Sequence, residues 1–256
     1  MYRVRLELEK QAPLRRLQTR WTRLQTLRSK EPFIPAEYIK RYAPGRSFVD
    51  VGGMWGIDGG YSFQAERAGA TRVVLVDIDR TDEFDRKLTA AGSSIEFVRA
   101  DATNPGLVDE IGTFDVVWCC GLLYHVPDPL GLIQNLRRIC EQWLVLESLV
   151  IPEVPGWPNM ATFYPYQSAR HRQRWDTSTR GGARRQLGIN TDFQSEEGTT
   201  NNFWGMSPSC VESLLRAGGF DLYSSRRMPR GPFRHVFVAA PEERRIPPAA
   251  VAESPT

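Results

Sequence analysis

Asp50, Gly52, Gly53 and Gly56 stand together in the run Phe48-Val49-Asp50-Val51-Gly52-Gly53-Met54-Trp55-Gly56, and a second acid, Asp77, closes the downstream run Val73-Val74-Leu75-Val76-Asp77. Glycines at these positions let the backbone turn tightly or take positive φ, and they leave room for a ligand to lie against the main chain. A carboxylate at the end of the next strand is placed to accept hydrogen bonds from both hydroxyls of a ribose. Together these residue types describe a pocket for a nucleoside-containing cofactor. A third acid, Asp101, closes Ile95-Glu96-Phe97-Val98-Arg99-Ala100-Asp101-Ala102, where it can accept a hydrogen bond from an adenine amino group. Candidates for acid–base chemistry are few, because the histidines are His125, His171 and His235. His125 follows Tyr124 just beyond the apolar run Phe114-Asp115-Val116-Val117-Trp118-Cys119-Cys120 and is the best-placed general base. His171 sits among arginines, while His235 precedes Val236-Phe237-Val238 and reads as a structural strand residue.

These side chains need a frame that brings the ends of their runs to one edge. Short apolar runs at 48–51, 72–77, 95–101, 114–120 and 143–149 alternate with helical stretches such as 130–140, which predicts a parallel sheet buried by helices on both faces. Ser207 as N-cap, Pro208 at the first helical position and Gly218 or Gly219 as terminator predict a late helix. Two further runs, near 220–226 and 233–239, predict an antiparallel hairpin. The fold class expected is α/β: a Rossmann-like, seven-stranded, mostly parallel sheet with an antiparallel terminal hairpin and helices on both faces.

With the segments in this order, residues 41–240 resemble the class I S-adenosyl-L-methionine (SAM)-dependent methyltransferases. The likeness is carried by Tyr61-Ser62-Phe63-Gln64-Ala65-Glu66-Arg67-Ala68-Gly69-Ala70, by Gly121-Leu122-Leu123-Tyr124-His125-Val126-Pro127-Asp128-Pro129-Leu130 and by Leu146-Glu147-Ser148-Leu149-Val150. Within that superfamily the chain looks most like the branch containing the bacterial tRNA wobble-uridine (5-carboxymethoxy-uridine) enzymes and their small-molecule relatives. The resemblance implies SAM as cofactor, held by Asp50, Gly52, Gly53, Gly56, Asp77, Ile78, Asp101, Ala102, Cys120 and Tyr124. It implies Tyr124 and His125 as the catalytic residues, and it requires no metal. The chain departs from the superfamily's usual D-x-G-C-G-x-G: Gly53 and Met54 stand at the fourth and fifth positions, and Gly59 and Gly60 follow, as in a lengthened loop. The activity implied is methyl transfer to oxygen or nitrogen of a small-molecule or glycosidic acceptor. The alternatives are a tRNA wobble-uridine modifier using SAM or carboxy-SAM, and a SAM-binding protein without catalysis.

Composition sets the outer bounds. A chain of 256 residues that is 41% hydrophobic supports one sizeable core, with one domain and insertions expected. The formal charge of +3 is too mild to argue for nucleic acid. Cys119, Cys120, Cys140 and Cys210 lack metal-ligand spacing and read as small core residues of a reducing compartment. No run approaches the roughly 20 apolar residues that cross a bilayer, and the start lacks a signal-peptide core, so a cytoplasmic protein without a membrane partner is expected. Residues 1–40 include a basic amphipathic helix over 12–30, read as a lid or brace, a dimer contact, or an arm for RNA or a membrane surface. Residues 151–203 form an irregular insertion in which Trp157, Phe163, Tyr164, Tyr166 and Trp175 are candidate acceptor-pocket walls. Its arginine cluster, Arg170, Arg172, Arg174, Arg180, Arg184 and Arg185, suits an anionic acceptor or an RNA backbone. Residues 241–256 read as a disordered tail.

Overall fold

The structure is a computed structural model and describes residues 36–165, 202–228 and 233–242. The helix expected over 12–30, the residues Tyr166, His171 and Trp175, the arginine cluster and the tail from residue 243 lie outside the described residues.

Along the chain run α1 (Ala36–Tyr42), β1 (Ser47–Val51), α2 (Gly60–Arg67), β2 (Arg72–Asp77), α3 (Asp82–Ala91), β3 (Glu96–Arg99), α4 (Leu107–Ile111) and β4 (Phe114–Cys120). A 3₁₀ turn (Leu123–His125) leads to α5 (Pro129–Ile139), β5 (Cys140–Leu149), β6 (Ala161–Phe163), β7 (Trp204–Met206), α6 (Pro208–Ala217), β8 (Phe220–Arg227) and β9 (Arg234–Pro241). Seven strands make one sheet in the order β3-β2-β1-β4-β5-β9-β8. The β1–β2, β1–β4, β2–β3 and β4–β5 pairings are parallel, whereas β9 runs antiparallel to both β5 and β8.

Side-chain alternation along the strands divides the core into two layers. Val49, Val51, Val74, Val76, Val117 and Cys119 face the layer formed with α4, α5 and α6, through residues such as Leu107, Leu136 and Val211. Phe48, Val73, Leu75, Val116 and Trp118 face the other layer, against Ile39 of α1, Phe63 of α2 and Phe84 of α3. The continuous apolar runs of the sequence are therefore strands covered on both sides. Because β1 lies between β2 and β4, the chain reverses direction across the sheet there. Ligands of open α/β sheets bind in the crevice at the carboxyl edge of such a switch point.

Two elements differ from the sequence expectation. β3 stops at Arg99, because Oδ1 of Asp101 accepts from both the backbone N and the Oγ1 of Thr103 at 2.8 Å and turns the chain off the sheet. The insertion contributes β6 to a small antiparallel sheet whose other strand, β7, follows just beyond residue 203; no periodicity announced it, since each strand has only three residues. No helix among the described residues is long and apolar enough to cross a membrane.

Candidate active site

The loop between β1 and α2 is closed on itself by main-chain bonds. Gly52 N donates to Val76 O at 2.8 Å and Gly59 N to Gly53 O at 2.9 Å. Gly52 has φ +77°, and a Cβ there would crowd Leu122 at 3.2 Å, while a Cβ on Gly53 would collide with the Asp50 carboxyl. Gly59 caps α2 at φ +71°, packed against the Phe84 ring, so it faces the core rather than a ligand. Gly56 also has positive φ and stands in open space at the loop's crest. The loop is indeed longer than the motif it resembles: α2 begins only at Gly60. Asp58 fastens the extra length, accepting from Thr81 Oγ1 at 2.9 Å and from Lys87 Nζ at 3.4 Å.

Beneath this loop Asp50 is 1% exposed. Its Oδ2 accepts from Ser62 Oγ at 2.8 Å, and its Oδ1 has no hydrogen-bond partner. Burial, reinforced by the charge of Asp77, pushes its carboxyl up to about 7 despite the Ser62 bond. Asp77, at the end of β2, accepts from Met54 N at 2.9 Å through Oδ2 and from Asp79 N at 3.1 Å through Oδ1. Each carboxylate oxygen has a second lone pair, so the acid can hold the glycine loop and still receive a ligand. Ile78 follows it and is 62% exposed, its carbonyl accepting from Arg99 Nη1 at 2.7 Å. Asp101 lies exposed beyond β3, and the buried Ala102 accepts from Asn135 Nδ2 at 3.0 Å through its carbonyl.

The end of β4 supplies the other wall. Cys120 is half-buried, and burial raises its thiol well above the usual range, which keeps it protonated. Gly121, at φ +85°, donates to Glu147 O at 3.0 Å, and the 3₁₀ turn follows. Tyr124 is buried with its phenol pushed up to about 12 by burial, and its hydroxyl lies 3.5 Å from Arg234 Nη2 instead of projecting into the open site. His125 is partly buried. Burial, then the charge of Arg234, lowers its imidazole to about 4, so it is neutral at physiological pH and able to accept a proton. Across the mouth Trp55 is 72% exposed, its ring centroid 6.5 Å from that of His125 in an edge arrangement.

The β6–β7 sheet is anchored to the same turn. Phe203 N donates to Tyr124 O at 2.9 Å and Trp204 Nε1 to Pro127 O at 3.0 Å. Of the expected acceptor walls, Tyr164 is buried, Phe163 is exposed and packs on Trp204, and Trp157 is exposed. His235 is a strand residue whose Nε2 meets Ser225 Oγ at 2.8 Å. Among the described residues no group of three His, Cys, Asp or Glu gathers as metal ligands.

Asp50, Gly52, Gly53, Gly56, Asp77, Ile78, Cys120, Tyr124 and His125 thus gather at or just beyond the carboxyl ends of β1, β2 and β4, with Asp101 and Ala102 beyond β3. Three residues not expected from sequence join them: Trp55, Glu147 and Arg234. A signal existed for the last two, since a charge inside or opening an apolar run is costly to bury without a partner.

A family model for a methyltransferase domain matches residues 50–142. No curated protein matches the chain by sequence. The chain is similar to Burkholderia thailandensis 1,6-didemethyltoxoflavin-N1-methyltransferase, solved with 1,6-didemethyltoxoflavin and S-adenosylhomocysteine (SAH). Identity is 17%, covering 82% of this chain and 78% of that one, with a TM-score of 0.57. It is likewise similar to magnesium protoporphyrin IX methyltransferase from Synechocystis PCC 6803 with bound SAH, at 17% identity, 81% of each chain and a TM-score of 0.53. A third similar structure is the [4+2]-cyclase SpnF, at 12% identity, 81% of this chain, 79% of that one and a TM-score of 0.53. At these identities the likeness shows the fold, and the cyclase shows that one fold hosts more than one reaction. The domain match falls on the β1–β5 part of the sheet, and the neighbours share the Rossmann-like architecture of the chain.

Proposed function

We propose that this chain transfers a methyl group from SAM to oxygen or nitrogen of a small-molecule or glycosidic acceptor. The observation that carries the reading is where the methyltransferase-domain match falls: it spans residues 50–142, and its strand edges present a closed glycine loop, a ribose-ready acid and a neutral histidine together. The residues fit the cofactor on a physical test as well. Gly52 and Gly53 leave no room for a Cβ, against Leu122 and the Asp50 carboxyl, so the main chain there is bare enough for a cofactor to lie on it, while the buried Asp50 Oδ1 is met by the proton that its carboxyl keeps up to about 7.

In this reading Asp77 receives the ribose hydroxyls, Asp101 the adenine amino group, and exposed Ile78 lies against the base. Bound SAM supplies a methyl already activated by its sulfonium. The protein's task is then to hold the acceptor in line at about 3 Å and to remove its proton if it carries one. Neutral His125 is the group able to take that proton, and Trp55 offers the acceptor an aromatic surface opposite it. The small-molecule class is supported by the 1,6-didemethyltoxoflavin bound in the first neighbour. The arginines of residues 170–185 favour an acceptor with a negative charge.

Radiolabelled methyl-SAM incubated with the protein and an extract of its source cells, then split into small-molecule and macromolecular fractions, tests the reading. Label in the small fraction is expected. Label released by nuclease would favour the tRNA wobble-uridine branch instead. SAH binding with no label in either fraction would point to carboxy-SAM or to a non-catalytic role.

A further inference from the structure

Glu147 and Arg234 form a buried ion pair directly behind the turn that carries Tyr124 and His125. Glu147 is 1% exposed inside the apolar run of β5, and Arg234 is 8% exposed at the start of β9. In the β5–β9 ladder Glu147 faces Val236 and Leu149 faces Arg234, so the two charged side chains are diagonal neighbours on one face of the sheet. Arg234 Nη1 donates to both carboxylate oxygens, at 2.7 and 2.6 Å, and Nη2 lies 3.5 Å from the Tyr124 hydroxyl. Gly121 lies against this group. A Cβ at that position would lie 3.6 Å from the Tyr124 hydroxyl and 4.0 Å from Arg234 Nη1. The main chain of the same turn is tied to β5 through Gly121 N and Glu147 O, and to β7 through Phe203 N and Tyr124 O.

Replacing a buried ion pair by apolar residues is commonly neutral or stabilising, so packing alone gives little reason for these two charges. We propose that the Glu147–Arg234 pair is a positioning device of the active site: it holds the Tyr124 ring behind the turn, thereby sets where His125 is presented, and keeps a cation behind that imidazole. The groups around His125 agree. The rings of Tyr124 and Trp55 lie against its imidazole, with centroids at 4.2 and 6.5 Å, and neither carries a charge. Arg234 of β9 is the charge that acts on it, and the carboxylate of Glu147 on β5 is engaged with that guanidinium. On the α5 side the Asp128 carboxylate is occupied with Gly131 N at 2.9 Å. A neutral imidazole in front of a paired arginine stays unprotonated but is a weak base, suited to an acceptor whose own proton turns acidic as the methyl arrives.

The inference rests on the methyltransferase reading for its meaning, but its test does not. With only His125, His171 and His235 in the full chain, NMR titration of the imidazoles is tractable, and His125→Asn assigns the signal. The parent midpoint is expected near 4. The double variant Glu147→Leu/Arg234→Met strands no buried charge and should keep a cooperative melt, while the His125 midpoint rises above the parent's but stays below 6.5, because burial, the larger cause, remains. Arg234→Lys, which keeps the cation, should stay near the parent. A folded double variant titrating at the parent midpoint overturns the proposal. Tyr124→Phe supplies a second readout if the double variant does not fold: an unmoved His125 signal would overturn it equally. SAH binding by the parent chain, measured calorimetrically alongside, reports on the methyltransferase reading separately.

Discussion

Asp77 illustrates how much one side chain does at this edge. Its Oδ2 fixes the glycine loop through Met54 N, and its remaining lone pairs are the ones a ribose would use. Hydrogen bonds to a charged group contribute about 1.5–3 kcal/mol, so Asp77→Ala is expected to weaken SAH binding by about 10- to 100-fold, with Asp77→Asn losing less because its carbonyl still accepts from Met54. Isothermal calorimetry decides it; an Asp77→Ala protein with parent affinity removes the ribose role. Gly53→Ala tests the neighbouring constraint, since its methyl must displace the buried Asp50 carboxyl. Overpacking of this kind costs about 1–3 kcal/mol, which a thermal melt would register, and SAH affinity should fall with it. Both acids were legible in the sequence, Asp77 because it closes an apolar run and Asp50 because it stands in one just ahead of the glycines. The bond from Met54 was not, because a main-chain donor is specified by how the loop folds rather than by residue type.

Elements were legible where capping chemistry or a long apolar run marks their ends. The α6 helix is the clearest case: Ser207 is buried and accepts from Cys210 N at 3.3 Å, Pro208 occupies the first helical position, and Gly218 ends the helix. Removing such a cap costs about 1 kcal/mol, so Ser207→Ala should lower Tm by about 2–4 °C, as followed by circular dichroism, without changing SAH affinity. A parent-like Tm would mean that neither the cap nor the Ser207–Ser209 contact contributes measurably, since the variant removes both. The β6–β7 sheet was invisible for the opposite reason. Three-residue strands show no period, and their stability comes from Phe163 against Trp204 and from bonds to Tyr124 and Pro127 that are distant in sequence. The Glu147–Arg234 pair falls between these cases: each charge stands out in its apolar strand, but only the antiparallel return of β9 brings them together.

For the molecule as a whole, the mostly parallel sheet covered on both faces follows from alternating runs and helices, whereas its strand order and the net effect of its buried ionisable groups appear only in three dimensions. Asp50 and His125 oppose one another there. Asp50 holds its proton up to about 7 when folded against an ordinary 3.8, so its contribution is fully present below 3.8 and is lost as pH rises through 7. His125 is held at about 4 when folded against 6.5, so its contribution is fully present above 6.5 and is lost as pH falls through 4. Between about 4 and 6.5 the folded chain retains one proton on Asp50 that the unfolded chain releases, and lacks one on His125 that the unfolded chain binds. The two slopes cancel, the shifts being worth on the order of 4 kcal/mol for Asp50 and about 3 kcal/mol for His125 across their windows. Comparing each variant with the parent removes the contributions of other carboxylates such as exposed Glu96 and half-buried Asp115, whose pKa values are lowered by their partners. Asp50→Asn, which preserves an acceptor for Ser62, should therefore gain stability relative to the parent as pH rises from 4.5 to 6.5, and His125→Asn should lose it over the same range. Denaturant melts of the three proteins at both pH values measure the slopes. Parallel profiles for all three would show that neither group carries a shifted proton in the fold, and with that the basis for a neutral His125 base would go.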